Sequence, residues 1–385
     1  VDFSFTEEQN KFRLEVCNFL EEEIEKGCWK PTCDAWIQGF DTEFTKRVAQ
    51  RGWIGLTWPE EYGGHERSHI DRLILTEEML RYGAPAACHW FGDRQVGGAI
   101  LSFGSEDLKK EFLPRIVKGE AYFGLGMSEP GAGSDLASLQ TRAVEDGDYY
   151  VINGQKTWAS CASFAQYFDV YVRTDSEAPK HRGISEFIVD AQSQGLSRIP
   201  MIDITGTEAW NDVFFDNVRV HKRYLVGEKN RGFHQVLHQL DYERSGMERL
   251  MGNYALFDAL IQFAKDNKLS QEPLIRNKLA QLQIEFEVGR LLIYRVALVM
   301  EDGRVPNWES AMSKAYSTEF EKHLAGAAME ILGPYGQLTS NSKLVPVRGM
   351  ALHSYLASKG YSLQAGTTEI LKNILAVRGL GLPSS

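Results

Sequence analysis

Residues 123–160, FGLGMSEPGAGSDLASLQTRAVEDGDYYVINGQKTWAS, gather more groups suited to chemistry than any other stretch of the chain. Gly131, Ala132 and Gly133 remove side-chain bulk, so backbone N–H groups there could closely approach an oxygen-rich ligand. Ser128 and Ser134 bracket that turn with hydroxyls, and Asn153-Gly154 reads as the turn of a strand pair. Trp158 stands alone between small polar residues. The five cysteines, Cys17, Cys28, Cys33, Cys88 and Cys161, are odd in number and contain no C-x-x-C pair. Neither a disulfide framework nor a zinc site is expected from them, and a reducing cytoplasm suits them best.

These groups must be positioned by something, and the patterning outlines three segments. A chain of 385 residues is long enough for two or three packed units. Its 43% hydrophobic and 24% charged residues are ordinary for a folded protein. A net charge of −10 argues against nucleic acid as partner. No apolar run reaches the roughly 18 residues of a membrane span, and VDFSFTEEQ lacks a basic flank and an apolar core, so a cytoplasmic, unanchored protein is expected.

Thr6 followed by Gln9 predicts a capped helix start. Apolar spacing predicts further helices over 73–82 and 97–103, with a short one over 105–111 ending before Pro114. From Tyr122 the period changes to two, through DYYVING, YFDVYVRTD, GISEFIVD, GLSRIPM and NDVFFDNVRV. Helical periodicity returns after Gly232 and runs through HQVLHQLDYERSGMERLMGNYALFDALIQFA and two later segments. The expected α+β architecture is an N-terminal helical domain (1–120), a central β-barrel domain (121–232) and a C-terminal four-helix-bundle domain (233–385).

The order of these segments and motifs resembles the FAD-dependent acyl-CoA dehydrogenase family from end to end. MSEPGAGSD is similar to the family loop beside the flavin. The resemblance implies contacts from the Met127 backbone and the Ser128 hydroxyl to the isoalloxazine, and from Ser134 to the flavin phosphate or the pantetheine edge. GQKTWAS resembles the next flavin strand, with Trp158 shielding the ring system and Ser160 near it. EILGPYGQL and QAGTTEILKNILA resemble segments that bind the adenosine part of FAD, which implicates Gly333, Gly336, Thr367 and Glu369. The family loop that reaches a neighbouring subunit's FAD is shortened here to DNKLSQEPLIRNKLAQL, leaving Arg276 as the best cation for its phosphates. Its Pro-x-x-Arg form resembles a subgroup that includes enzymes for steroid side chains and for aromatic or alicyclic acids, some of them heteromeric.

The chemistry implied is removal of an α-proton and a β-hydride from an acyl-CoA thioester. It needs a base, donors to the thioester carbonyl, and a hydride acceptor. Many members carry the base directly before a Gly-Thr pair, where this chain has Ala365. Its backbone N–H can still donate to the carbonyl, with Gly366 beside it. The isovaleryl and long-chain branch instead places a glutamate before an arginine in the helix after the β domain, which makes Glu243 the first choice as base. Leu240, Tyr242 and Arg244 would then lie at the substrate. The bland alternative is a solvated helix glutamate paired with Arg244 or Arg249. Asp93 is the rival base, by resemblance to members that perform 1,4-elimination on cyclohexene-carboxyl-CoA, with Phe91 beside the acyl group. It could equally cap helix 97–103 or pair with Arg94. The resemblance also implies electron-transferring flavoprotein as acceptor and a homotetramer, with a heteromer, or an oxidase or monooxygenase on the same fold, as alternatives.

Overall fold

A computed structural model of the protein describes residues 4–383, apart from the side chain of Glu243. By its contacts the chain forms two compact units. One contains the chain up to Trp36, Ser68–Ala84 and everything from Arg244 onward; the other contains Ile37–Arg67 and Pro85–Glu243.

The first unit is helical. Helix Glu7–Glu25 starts where the capping residues predict: Thr6 Oγ1 accepts the Gln9 N–H (3.1 Å), and Gln9 Oε1 accepts the Thr6 N–H (3.0 Å). Its buried Phe12, Val16, Phe19 and Leu20 recur at helical spacing and pack toward helix His69–Arg81. The C-terminal part brings together helices Tyr254–Asp266, Pro273–Glu301, Asn307–Leu332 and Met350–Tyr361. Phe257, Phe286 and Phe320 interlock at their centre with centroids 6.0 to 6.3 Å apart. Each such ring contributes about 1.5–3 kcal/mol by leaving water. Arg13 and Arg290 converge on Glu77, which also accepts from Tyr294 (2.9 Å), tying three helices through one carboxylate.

The second unit is built on eight strands. They are β1 (Phe123–Gly126), β2 (Arg142–Asp146), β3 (Tyr149–Ser160), β4 (Tyr167–Arg173), β5 (Ile184–Asp190), β6 (Leu196–Met201), β7 (Trp210–His221) and β8 (Leu225–Val226). The order is β6-β7-β3-β2-β4-β5-β8, with β1 parallel on β4. The eight strands form one sheet, and among the described residues no pairing joins β6 to β8. Strands β4 and β5 are buried almost throughout, as strands covered on both faces must be. Helix Gly232–Glu243 lies against β5 and covers one of those faces.

Three expectations need correction. Asn153-Gly154 does not turn a hairpin: β3 runs through it, and the turn is made at Gly147, whose φ of +62° suits glycine. Asn153 instead marks a bulge, where its Oδ1 accepts the N–H of Asn217 (2.9 Å) across β7. Helix Glu106–Val117 does not stop before Pro114 but includes it. Burial of Phe112, Leu113, Ile116 and Val117 outweighs the one backbone bond that proline cannot make. The helical run after Gly232 also breaks, at Arg244–Met247, where a turn separates helix Gly232–Glu243 from the short helix Glu248–Met251.

No helix among the described residues is long and apolar enough to cross a membrane. Nor do any three His, Cys, Asp or Glu side chains among them gather as a metal site.

Candidate active site

The glycine-rich loop is held from behind by a buried ion pair absent from the expected site. Lys156, fully buried on β3, donates to Glu129 Oε1 (2.9 Å) and to the Met127 carbonyl (3.1 Å). Glu129 also accepts the N–H groups of Gln140 (2.5 Å) and Thr141 (2.9 Å), and its backbone pairs in both directions with Ala132. Burial pulls the Lys156 ammonium down to about 8, against the pull of Glu129. Burial works against the Glu129 charge too, but Lys156 and the backbone donors hold its carboxyl below the usual range. The pair is therefore ionised at neutral pH. The sequence signal for it is a lysine at an inward position of an alternating strand, which requires a carboxylate partner.

With its ends so fixed, the loop exposes Gly131, Gly133 and Ser134, while Met127 and Ser128 are half-buried. A Cβ added to either glycine would meet nothing within 4 Å. The Ser128 carbonyl accepts the Thr157 N–H (2.9 Å), which registers the loop against β3. One residue on, Trp158 takes φ +57° in a bulge between β3 and β7 and is 60% exposed, edge-on to Trp210 at 6.4 Å. A tryptophan in the left-handed region is strained, and a bulge of this kind re-aims a side chain. Ser160, half-buried, pairs with Trp210 at the end of the same strand.

Also in the second unit, Ala87–Phe91 continues through a π-helical turn, Gly92–Val96, into Gly97–Phe103. Asp93 lies in that turn, a geometry found often at functional sites. Asp93 Oδ1 accepts the Gly55 N–H (2.7 Å), so it anchors a neighbouring loop rather than capping helix Gly97–Phe103. His89, buried one turn earlier, is held down at about 4 by desolvation, against the pull of Asp93, and contacts Thr45 Oγ1 at 3.0 Å. Phe91 is buried in the core. On helix Gly232–Glu243, Leu240 and Tyr242 are half-buried, and Tyr242 packs on His238 at 4.9 Å. Glu243 is the last residue of that helix, and its side chain lies outside the described residues.

That helix is fixed to the sheet by two buried carboxyls that sequence reasoning did not single out. Gln239 Nε2 donates to Asp169 (3.0 Å), and Gln235 Nε2 donates to Glu186 (2.6 Å) and to the Val226 carbonyl (2.9 Å). Tyr171 OH donates to Gln239 Oε1 (2.9 Å). Burial raises the Asp169 carboxyl to about 6; burial and then the Asp169 charge raise Glu186 well above the carboxylate range. The two carboxyls face each other, and each keeps one buried oxygen that no donor among the described residues meets, as two acids sharing a proton would.

In the first unit, Ala365 (φ +54°) and Gly366 (φ +95°) form a left-handed loop. Arg244 Nε donates to the Ala365 carbonyl (2.8 Å), so this arginine, itself buried, is a loop anchor. Thr367 caps helix Thr368–Ile374, its Oγ1 accepting the Ile370 N–H (3.3 Å). Glu369 is exposed in the first turn, its carboxyl lowered by its own backbone N–H and then by Thr367. Gly333 (φ +56°) ends helix Asn307–Leu332, Gly336 is buried in the turn after it, and Arg276 is exposed on helix Pro273–Glu301.

The chain matches three family models: "Acyl-CoA dehydrogenase, N-terminal domain" over residues 6–120, "middle domain" over 124–218 and "C-terminal domain" over 230–380. It is 34% identical to acyl-CoA dehydrogenase FadE26 of Mycobacterium tuberculosis over 353 residues, covering 89% of this chain and 88% of that protein. It is 29% identical over 348 residues to the "Caffeyl-CoA reductase-Etf complex subunit CarC" of Acetobacterium woodii, covering 88% and 89%. Among solved structures, one described as "Tcur3481-Tcur3483 steroid ACAD" superposes with a TM-score of 0.91 at 31% identity, covering all of both chains.

Proposed function

From the premise that this chain belongs to the acyl-CoA dehydrogenase family of FAD-dependent oxidoreductases acting on CH–CH groups, we propose that it converts an acyl-CoA thioester to the enoyl-CoA. The observation that carries this reading is the Ala365-Gly366 loop. Among the described residues the Ala365 N–H donates to no acceptor, so it is available to a thioester carbonyl. An α-proton is too weakly acidic for a carboxylate unless that oxygen is held by donors that strengthen as enolate charge develops. Glu243 takes the proton; Leu240, Tyr242 and Arg244 border the substrate, and Ser134 meets its pantetheine edge.

FAD, when bound, supplies the acceptor for the β-hydride. The residues fit such a group: a strained, exposed indole offers a flat apolar cover, and the open space above Gly131 and Gly133 admits an oxygen-rich ligand to the backbone. In this reading Met127, Ser128, Trp158 and Ser160 hold the ring system. Gly333, Gly336, Thr367, Glu369 and Arg276 serve its adenosine and phosphate end.

Relatives named for steroid chemistry support a bulky alicyclic or side-chain acyl group, and one named with an Etf complex supports electron-transferring flavoprotein as acceptor. The half-buried place of Asp93 in a π-helical turn favours a second reading, 1,4-dehydrogenation of a cyclic acyl-CoA with Asp93 as base.

The test is anaerobic mixing of the purified chain with a panel of aliphatic, branched, alicyclic and steroid side-chain thioesters. Bleaching of the flavin by at least one thioester, with slow reoxidation in air, is expected. No bleaching by any would reject the dehydrogenase reading, and rapid peroxide formation would move it to an oxidase.

A further inference from the structure

The loop that carries Ala365 is tied back by a second buried cation. Lys314, on helix Asn307–Leu332, is completely buried, and its ammonium donates to the carbonyls of Gly366 (2.8 Å) and Tyr361 (3.0 Å). Arg244 donates to the carbonyl in between, that of Ala365 (2.8 Å). Gly366 also lies so close to Arg244 that an added Cβ would meet its guanidinium at 3.1 Å. Tyr361 is fixed in turn: its hydroxyl donates to Asp34 (2.5 Å) and accepts from Asn253 (3.2 Å).

Two consecutive carbonyls are thus committed to buried cations, and this constrains the other edge of each peptide. A trans peptide is planar, so its N–H points opposite to its C=O. With the Ala365 and Gly366 carbonyls turned toward Arg244 and Lys314, the N–H groups of Gly366 and Thr367 face the other way. Among the described residues neither these nor the Ala365 N–H donates to any acceptor. Three successive unspent donors in a left-handed turn form a concavity for negative charge. Hydrogen bonds to charged donors also polarise the peptide, which makes its N–H a stronger donor. Burying an ammonium is expensive, and the same carbonyls could have met water at a surface.

We propose that Lys314 is a positioning residue for the proposed reaction: with Arg244 it turns the 365–367 backbone outward as a multi-donor site for the enolate oxygen, Gly366 N–H joining that of Ala365. The proposal rests on the acyl-CoA dehydrogenase reading of Ala365.

The experiment uses the FAD-loaded protein and acetoacetyl-CoA, whose α-proton is acidic and which has no hydride to give. Its bound enolate, stacked on oxidised flavin, reports itself as a long-wavelength absorbance band, and the pH midpoint of that band measures how well the site stabilises the anion. Lys314→Met, close in shape but without donors, is expected to raise the midpoint by about one unit or more, a tenfold or greater loss of enolate, with acetoacetyl-CoA affinity at low pH kept within about threefold. Lys314→Arg, which restores charge and donors, is expected to recover part of the shift. An unchanged midpoint in a Lys314→Met protein that binds flavin and thioester overturns the proposal. If that variant loses flavin, Lys314→Gln replaces it: an upward shift supports the proposal, and wild-type behaviour overturns it. Absence of the band in the unsubstituted protein would instead bring down the reading of Ala365 on which this one stands.

Discussion

Two carboxylates compete for the role of base, and the surroundings of Asp93 make the test clean. Its Oδ1 holds the Gly55 N–H, and an asparagine oxygen can accept the same bond, so Asp93→Asn should leave that loop in place. With Glu243 as base, Glu243→Gln keeps thioester binding but slows flavin reduction by the ~10²–10⁴-fold typical of general-base loss. Asp93→Asn then changes affinity or substrate range. For a cyclic substrate deprotonated by Asp93 the severities reverse. Single-turnover reduction of both variants with the best thioester decides, and near-normal reduction in Glu243→Gln would remove it as base. At this scale the sequence exposes residues whose type is odd for their place, such as a lone tryptophan or an alanine where relatives carry glutamate. It hides Lys156 and Lys314, because their meaning depends on partners 27 and 52 residues away.

The elements were legible wherever local chemistry and burial agreed. Thr6 and Gln9 mark their helix because both halves of the cap are local, and β4 and β5 are evident from branched and aromatic residues in short runs. Asn153-Gly154 misleads because the same residues suit a turn and a bulge, and Pro114 misleads because burial at its neighbours overrides a local breaker. Helix Gly232–Glu243 depends on something no periodicity reveals, the Asp169 and Glu186 carboxyls beneath it. Gln235, Gln239 and Tyr171 face that pair. Both folded carboxyls lie above their unfolded values, Asp169 at about 6, so the folded protein retains protons that the unfolded chain releases. Their contribution is fullest below about pH 4 and falls as pH rises through 6 and beyond. Glu186→Gln mimics the protonated acid. Thermal unfolding should show it a few degrees more stable than the unsubstituted protein at pH 8, on the order of 1–3 kcal/mol, with little difference at pH 4.5. Equal differences at both pH values would mean that the pair does not titrate with folding.

At the scale of the whole molecule the first unit has surface that a lone chain leaves uncovered. Along helix Pro273–Glu301, Ile284, Val288, Leu291 and Leu298 are exposed, and their spacings of four, three and seven place them on one face. Tyr335, Leu344, Leu363 and Leu380 add exposed apolar side chains in the C-terminal part. An exposed apolar face of this kind usually marks an interface, and the proposed assembly is a homotetramer. Sedimentation should then give a species near four times the 43.5 kDa chain mass. Leu291→Glu, which puts charge into the middle of that face, should shift it to smaller species while the circular dichroism of the helices is kept. Flavin content is the second readout: if a neighbouring chain completes the FAD site, it falls along with the mass. A flavin-loaded, active monomer would refute the assembly. A chain that stays small and colourless alone, but gains both mass and flavin when co-expressed with a second family member, would show that the face is covered by a different chain.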